Sequence, residues 1–165
     1  IYLLGGEDGF TCLPQSPRCP PYYNDVWRSR DGSHWELVTA AADWAPRPGH
    51  QVLVLLNHFI LFGGFGLSTD QDDPFKAANP MDVWVSKDGA DWTQVSDAPW
   101  NAATPEEIKY DFAALAVTGG RDGQRPSVYT FGGDRETFDF TDPDNYLNVD
   151  NDVWKFAPPH WLSLP

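Results

Sequence analysis

Basic residues are scarce in this sequence. Lys and Arg together number 11 against 24 Asp and Glu, which gives a formal net charge of -13 over 165 residues. Nucleic acids and anionic membranes are bound through clustered Lys and Arg, so the composition argues against both as partners. There is also no apolar run of about 18 residues, so we expect no direct membrane insertion. Cations and basic surfaces are the partners that this charge favours.

Cysteine is equally scarce, and its two copies lie in the Pro-rich stretch TCLPQSPRCP. This stretch has neither the spacing of a zinc site nor a helix N-terminus that would activate a thiolate. We predict a local disulfide between Cys12 and Cys19, with two free thiols as the alternative. A disulfide implies an oxidising compartment and therefore an extracellular or cell-surface protein. The opening IYLLGG looks like the inside of a structural unit, so we expect a piece of a longer protein.

The motifs of the common catalytic sites are missing. The sequence contains no HExxH, no GxSxG and no phosphate-binding glycine loop. The histidines fall at unrelated positions of the chain, namely His34, His50, His58 and His160. We therefore predict no catalytic residue and no cofactor in this segment, with calcium as the one candidate ion.

Tryptophan, by contrast, is abundant, with eight copies that mark an internal repeat. An apolar run ending in a glycine pair occurs three times, and Asp-Val-Trp follows each time, with another tryptophan shortly after. The period is about sixty residues, and a repeat of tens of residues is typical of propellers and solenoids. The repeated positions are Gly5, Gly6, Asp25, Trp27, Asp31 and Trp35, then Gly63, Gly64, Asp82, Trp84, Asp88 and Trp92, then Gly132, Gly133, Asp152 and Trp154.

The segments between these landmarks are short, rich in β-branched and aromatic residues, and bounded by Gly, Pro, Asn or Asp. They predict strands at 51–56, 59–62, 112–117 and 127–131. A tight turn joins the first two of these strands, and one helical turn is predicted over 104–110. Each repeat would supply about four antiparallel strands, the size of one propeller blade. The predicted units are roughly 1–43, which lacks its first strand, 44–99 and 100–165.

These motifs resemble the kelch repeat. The match consists of the glycine pair that closes a strand, NDVW opening the next, a later tryptophan, and RPGH at 47–50 before the following unit. RPGH has no second copy, because IKYDFAA at 108–114 takes its place. The resemblance implies an all-β, kelch-type β-propeller segment of about three four-stranded antiparallel blades. Kelch propellers usually close with six or seven blades, so this ring would be incomplete, and other parts of its own chain or other subunits would complete it.

The turns SRDGSHW (29–35) and SKDGADW (86–92) resemble the Asp-box hairpin of secreted propellers such as sialidases. That motif normally has one more residue between Asp and Gly. In such a turn the Asp accepts bonds from backbone amides, the Gly takes a positive φ, and the Trp anchors the returning strand. We interpret both turns as structural.

Three long loops separate the glycine pairs from Asp-Val-Trp, at 7–24, 65–81 and 134–151. Long loops on a rigid scaffold often carry function, and equivalent loops of successive blades emerge on one face. The predicted binding surface consists of Tyr22, Tyr23, Phe65, Asp70, Asp72, Asp73, Phe75, Asp134, Arg135, Glu136 and Asp139. A weaker candidate calcium site uses Asp142, Asp144 and Asn145. The alternative interpretation is a solvated rim whose Asp and Asn side chains cap turns.

The sequence thus predicts a non-catalytic interaction or structural module of a larger extracellular or surface assembly, binding a protein or glycan through its acidic loops. One alternative is the propeller domain of a glycan-active or oxidase-type enzyme whose catalytic residues lie outside this segment. A second alternative is an intracellular kelch adaptor, which free thiols at Cys12 and Cys19 would favour.

Overall fold

The computed structural model describes residues 1–8, 22–67, 77–78, 81–97, 109–119, 125–135, 143–144 and 147–157. This part of the chain is all-β. Its strands form three antiparallel sheets of three or four strands and one two-stranded ribbon. None of the described residues form a helix long and apolar enough to cross a membrane.

Each sheet is built from strands that are close in the sequence and neighbours in space. The first sheet contains β1 (Tyr2–Glu7), β2 (Tyr22–Ser29) and β3 (Trp35–Thr39). The second contains β4 (His50–Leu55), β5 (His58–Gly63), β8 (Asp82–Ser86) and β9 (Thr93–Asp97). The third contains β10 (Ala113–Val117), β11 (Ser127–Asp134) and β12 (Val149–Phe156). The ribbon pairs β6 (Gly66–Leu67) with β7 (Ala77–Ala78).

The four strand segments predicted from the sequence are confirmed as β4, β5, β10 and β11. A two-residue turn, Leu56 and Asn57, joins β4 to β5, and both residues have positive φ, at 51° and 60°, as in a type I′ hairpin. The helical turn predicted over 104–110 is wrong for its last two residues, and 104–108 lie outside the described residues. Lys109 and Tyr110 form isolated bridges instead, because their backbone groups pair with neighbouring sheets.

The three sheets share one register between the glycine-pair strand and the Asp-Val-Trp strand. One residue lies opposite each motif tryptophan, in the pairs Leu3 with Trp27, Leu61 with Trp84, and Thr130 with Trp154. The following residue lies opposite each motif valine, in the pairs Leu4 with Val26, Phe62 with Val83, and Phe131 with Val153. Because side chains alternate across a strand, every sheet has a tryptophan face and a valine face.

The second sheet lies between the other two. Its tryptophan face packs on the valine face of the first sheet, in a buried cluster of Val26, Ala42, Trp44, Leu61 and Trp92. Its valine face packs on the tryptophan face of the third sheet, in a buried cluster of Leu55, Ile60, Phe62, Val83, Val85, Phe112 and Val128. The same pair of faces therefore meets twice within the chain.

The outer hairpins repeat one set of hydrogen bonds. In the second sheet Asp88 Oδ1 accepts from the amides of Ala90 and Asp91 at 2.9 and 3.2 Å, and the Trp92 indole donates to the carbonyl of the turn glycine at 3.0 Å. The first sheet has the same bonds at the equivalent positions. Trp92 is only 6% exposed because it packs between the first two sheets, whereas Trp35 is 39% exposed.

The glycine pair of the second sheet sits against neighbouring chain. A Cβ on Gly64 would lie 2.5 Å from the carbonyl oxygen of Pro48, and one on Gly63 would lie 2.4 Å from the Phe112 ring. Both glycines have positive φ, at 89° and 72°. Gly6 in the first sheet also has positive φ, at 114°, but a Cβ there would meet nothing within 4 Å. Backbone conformation therefore favours glycine at positions 6 and 64, and close packing additionally requires it at position 64.

We expect Gly64→Ala to destabilise the protein more than Gly6→Ala. Alanine at a positive φ costs about 1–3 kcal/mol at either position. At position 64 the collision with a backbone oxygen adds roughly 1–3 kcal/mol. Urea unfolding of the two variants beside the wild type measures the difference. Equal losses of unfolding free energy would show that the approach to Pro48 is not a tight contact.

Candidate functional site

The three long loops leave the sheets at equivalent places. Each loop follows a glycine pair and leads back to an Asp-Val-Trp strand that runs away from it towards the outer hairpin end. The loops therefore start at one end of the stacked sheets. The described residues include the bases of these loops, and we use "loop-base surface" for Glu7, Tyr22, Phe65, Tyr110, Asp111 and Asp134.

Three aromatic side chains connect the loop bases. The ring centroids of Tyr22 and Phe65 are 5.5 Å apart, and those of Phe65 and Tyr110 are 4.8 Å apart, both in edge-to-face geometry. All three rings are buried. Such a pair contributes about 0.5–1.5 kcal/mol beyond the burial of area. The row therefore holds the bases of the first two loops against the segment that leads into the third sheet.

Backbone hydrogen bonds tie the second and third sheets together at the same end. The Gly64 amide donates to the Lys109 carbonyl at 3.1 Å. Tyr110 and Asp134 each donate to the carbonyl of the other, at 3.1 and 2.8 Å. These bonds connect the start of the second loop, through Lys109 and Tyr110, to the start of the third loop. The bases of both loops are therefore held by the same backbone segment.

Desolvation and neighbouring carboxylates raise the pKa values of three acidic groups of the loop-base surface. Burial, and then the negative charge of Asp111, raise the pKa of Glu7. Burial, and then the charge of Asp134, raise the pKa of Asp111. Burial and the charge of Glu7 likewise raise the pKa of Tyr22. A cation or a basic side chain at this end would relieve that repulsion. The part of the chain that the structure describes has no group of three or more His, Cys, Asp or Glu arranged to hold a metal ion.

A buried arginine closes the base of the second loop. Arg47 is 1% exposed, and its guanidinium binds Asp82 through two bonds, of 2.5 and 2.8 Å. Asp82 also accepts from the Trp84 indole at 2.5 Å. Burial by itself would raise the pKa of Asp82, but the hydrogen bonds and charge of Arg47 outweigh it and hold that pKa below its usual value. Arg47 also lies 3.5 Å from the Gly63 carbonyl, so it contacts both ends of the loop.

A buried lysine binds the returning end of the third loop. Lys109 is fully buried, and its ammonium binds Asp150 at 2.6 Å and Asp152 at 2.8 Å. The Trp154 indole donates to Asp152, and Arg135 donates to Asp150. The third sheet therefore pairs its Asp-Val-Trp carboxylate with a different cation, and Arg135 with Asp150 joins the start of the third loop to its end.

The sequence pattern does not reveal these ion pairs. The repeat marks Asp25, Asp82 and Asp152, but it does not mark their partners Arg47 and Lys109. The one available signal is that RPGH and IKYDFAA take the same place in the repeat, and each has a cation three or four residues before its strand begins. Asp25 accepts from the Trp27 indole at 2.7 Å, and among the described residues it has no ion-pair partner.

The described binding candidates from the sequence lie at the loop bases. Tyr22 and Phe65 are 3% and 4% exposed, so their rings pack between sheets and present almost no surface. Tyr23, Asp134 and Arg135 are half-buried. The other candidates lie outside the described residues, and they are Asp70, Asp72, Asp73, Phe75, Glu136 and Asp139.

The remaining predicted sites are covered only in part by the structure. Of the calcium candidates, Asp144 is exposed, while Asp142 and Asn145 lie outside the described residues. Cys12 and Cys19 also lie outside them.

The described histidines belong to local structure. Burial lowers the pKa of His50 to about 4, so this imidazole is neutral near pH 7. Its ring lies 5.7 Å from that of Trp44. His58 bonds the Leu56 carbonyl in the β4–β5 turn at 2.8 Å, and His34 bonds Asp31 in the first outer hairpin at 2.8 Å.

We expect Asp82→Asn to be far more destabilising than Asp25→Asn. Both changes remove a carboxylate that accepts from a motif tryptophan, but only the first leaves a buried arginine unpaired. Losing one partner of a buried pair costs about 3–5 kcal/mol, whereas Asn at position 25 can still accept from the indole through its amide oxygen, so that change costs about 1 kcal/mol. Urea unfolding at pH 7 measures both losses. A loss for Asp82→Asn no larger than that for Asp25→Asn would contradict a stabilising role for the ion pair.

The same variant has a predicted pH dependence. Because the folded pKa of Asp82 is lowered, its stabilisation is present above the ordinary carboxyl pKa of about 4 and is lost as the pH falls through the folded pKa. The difference in unfolding free energy between wild type and Asp82→Asn should therefore shrink below about pH 4. A difference that stays constant down to about pH 2 would contradict the lowered pKa.

No protein-family model matches the sequence, and no curated protein matches it. The copies of the repeat can still be compared with each other. The second and third sheets share one register and the same contacts of a cation, a carboxylate and a tryptophan.

Proposed function

We propose that the chain is a segment of a kelch-type β-propeller that acts as a non-catalytic interaction or structural module of an extracellular or surface assembly. Its partner is a protein or glycan with basic character, bound through the loops that leave the loop-base surface. The remainder of the ring comes from its own chain or from other subunits.

The propeller assignment is supported by how the sheets stack. An isolated antiparallel sheet with two apolar faces cannot bury both, and stacking equivalent sheets covers them. The second sheet has a first sheet on one side and a third on the other, through equivalent faces. The first strands of the second and third sheets, β4 and β10, also approach each other. Neighbouring blades in a propeller meet in this way around an axis.

One observation carries the functional proposal, and it is the row Tyr22, Phe65 and Tyr110. These rings hold the loop bases of successive sheets side by side, so loops that are far apart in sequence open at one end of a rigid support. Long loops on such supports are where binding usually resides. Because desolvation and a neighbouring carboxylate raise the pKa values of Glu7 and Asp111, a positively charged partner would be favoured there.

We expect an octalysine peptide to bind the wild-type chain, with an affinity that falls as salt rises. The double variant Asp72→Asn with Asp73→Asn removes two charges from the second loop and should weaken binding about fivefold or more. Titration calorimetry or fluorescence anisotropy at about 0.05 and 0.15 M salt would measure the affinity.

The matched control is Glu36→Gln with Asp91→Asn. It removes the same number of charges from exposed positions of the outer hairpins, at the opposite end of the strands. We expect it to change the affinity by less than about twofold. Equal weakening by both double variants would mean that net charge alone attracts the peptide, and it would overturn the loop assignment.

The extracellular assignment rests on a Cys12–Cys19 disulfide, which has its own test. We expect the protein purified without reductant to resist alkylation, and to gain two alkyl groups per chain only after reduction. Intact mass spectrometry before and after reduction shows this directly. Two thiols that react without reduction would remove the argument for an oxidising compartment and favour the intracellular adaptor.

A further inference from the structure

We infer that His50 makes the contact between the first and second sheets sensitive to acid. When its imidazole takes up a proton this contact opens to water, whereas the equivalent contact between the second and third sheets lacks this response. The inference rests on the described residues at the loop-base end of β4. It depends neither on the propeller assignment nor on loop binding, so it can fail separately from both.

The contact between the second and third sheets has phenylalanine where the first contact has histidine. The equivalence follows from the strand register, through the pairs Gln51 with Phe62 and Ala113 with Phe131. His50 and Phe112 come immediately before these paired strands, and each follows a residue with positive φ, Gly49 at 65° and Asp111 at 49°. One contact between sheets therefore contains a titratable ring, and its copy contains an apolar ring.

Both rings contact the same position of the preceding sheet. Leu4 lies opposite the motif valine of the first sheet, as Phe62 does in the second. The Leu4 carbonyl is a hydrogen-bond acceptor for the His50 ring. The ring centroids of Phe62 and Phe112 are 5.6 Å apart. His50 thus takes part in the same contact between sheets as Phe112, but through polar atoms.

The His50 ring has two acceptors and, when neutral, only one donor. Its Nδ1 lies 3.0 Å from the Arg47 carbonyl, and the Leu4 carbonyl is the second acceptor. A neutral imidazole carries one N–H and satisfies one of the two, whereas an imidazolium would satisfy both. Hydrogen bonding therefore favours a proton on this ring, and burial and charge decide whether the closed contact can hold it.

Arg47 is the cation that faces His50, and its own counter-charge is already engaged. The guanidinium binds both oxygens of Asp82. The charge of Arg47 disfavours protonation of the imidazole. Because Asp82 is shared with no second cation, a protonated His50 would place another positive charge beside the buried Arg47.

The other titratable groups near this contact do not supply a lasting counter-charge. They are Glu7 on β1, Asp43 next to Trp44, and Lys109 and Asp111 on the segment that donates to the Gly49 carbonyl. Asp43 accepts from the Trp92 amide at 3.3 Å, and Lys109 adds positive charge. Desolvation and a neighbouring carboxylate raise the pKa values of Glu7 and Asp111, so both lose negative charge early as the pH falls.

Acid therefore favours the open contact. Burial, together with the charge of Arg47, outweighs the two carbonyls and lowers the pKa of His50 to about 4. In water the ring regains its ordinary pKa of about 6.5. The open state thus binds the proton more tightly than the closed one. Stability of the contact is fully present above about pH 6.5 and is lost as the pH falls from there to about 4.

Urea unfolding at two pH values tests this linkage. From about pH 7.5 to about pH 5, the ratio of folded to unfolded protein should fall about 30-fold more for the wild type than for His50→Phe. The variant carries the residue that the third sheet uses at this place, and all other titrating groups are common to both proteins. An equal pH dependence of the two proteins would overturn the inference.

Hydrogen exchange of the wild type then locates the response. The Ala42 amide donates to the Asn24 carbonyl beside the first contact, and the Asp134 amide donates to the Tyr110 carbonyl beside the second. After correction for intrinsic exchange rates, the protection of the Ala42 amide should fall about fivefold or more from about pH 7.5 to about pH 5 relative to that of the Asp134 amide. Equal changes at both amides would rule out a local opening. This comparison needs no variant.

The control is His34→Gln, which removes an exposed histidine from the first outer hairpin, at the other end of the strands. It should keep the acid-induced loss of the wild type. Circular dichroism confirms that each variant is folded, and His50→Gln, which cannot titrate, replaces His50→Phe if that variant is not. Octalysine binding by folded His50→Phe at about pH 7.5 should equal that of the wild type, so loss of the acid response and loss of loop binding are separate results.

Discussion

The buried pairing of a cation with the Asp-Val-Trp carboxylate is the interaction on which the other features depend. Arg47 reaches Asp82 across 35 positions, and Lys109 reaches Asp152 across 43. The entropy difference between closing these two lengths is about 0.2 kcal/mol, whereas breaking a buried pair costs about 3–5 kcal/mol. In the second and third sheets the ion pair therefore fixes the base of the loop at nearly the same entropic cost, although the separations of the paired residues differ. Sheets of the same architecture can then carry loops that differ in length and composition.

The tryptophan of the motif links this polar contact to the apolar packing. Its indole N–H donates to the same carboxylate that holds the cation, and its ring packs between neighbouring sheets. The carboxylate is thus shared between loop closure and sheet stacking, which explains why Asp and Trp recur together two positions apart. A register shift of one residue would exchange the tryptophan and valine faces and lose both contacts at once.

The sequence predicted what local pattern and repetition determine. Strands β4, β5, β10 and β11 and the two-residue turn between the first pair were predictable, because alternation, bounding turn residues and an internal copy all agreed. The residues that pair with the repeated positions across the sheets could not be predicted in this way. Lys109 takes the position of Arg47 in the repeat, but its side chain and its sequence neighbours differ. The residues before it include the proline and acids typical of a helix start, yet Lys109 itself forms an isolated β-bridge with a neighbouring sheet. Likewise, Tyr22 and Phe65 look like exposed loop aromatics until the sheet contacts that bury them are known.

Burial alone does not determine whether the pKa of a carboxylate in this protein is raised or lowered; the charges of its neighbours decide the direction. Asp82 and Asp150 have lowered pKa values because buried or half-buried cations outweigh their desolvation. Desolvation raises the pKa values of Glu7 and Asp111, and a neighbouring carboxylate raises each of them further. The first pair has its counter-charge built into the fold and serves stability. The second pair experiences electrostatic repulsion that the fold does not neutralise. A basic partner at the loop bases would supply the missing counter-charge. For this reason the binding surface is expected at this end of the sheets.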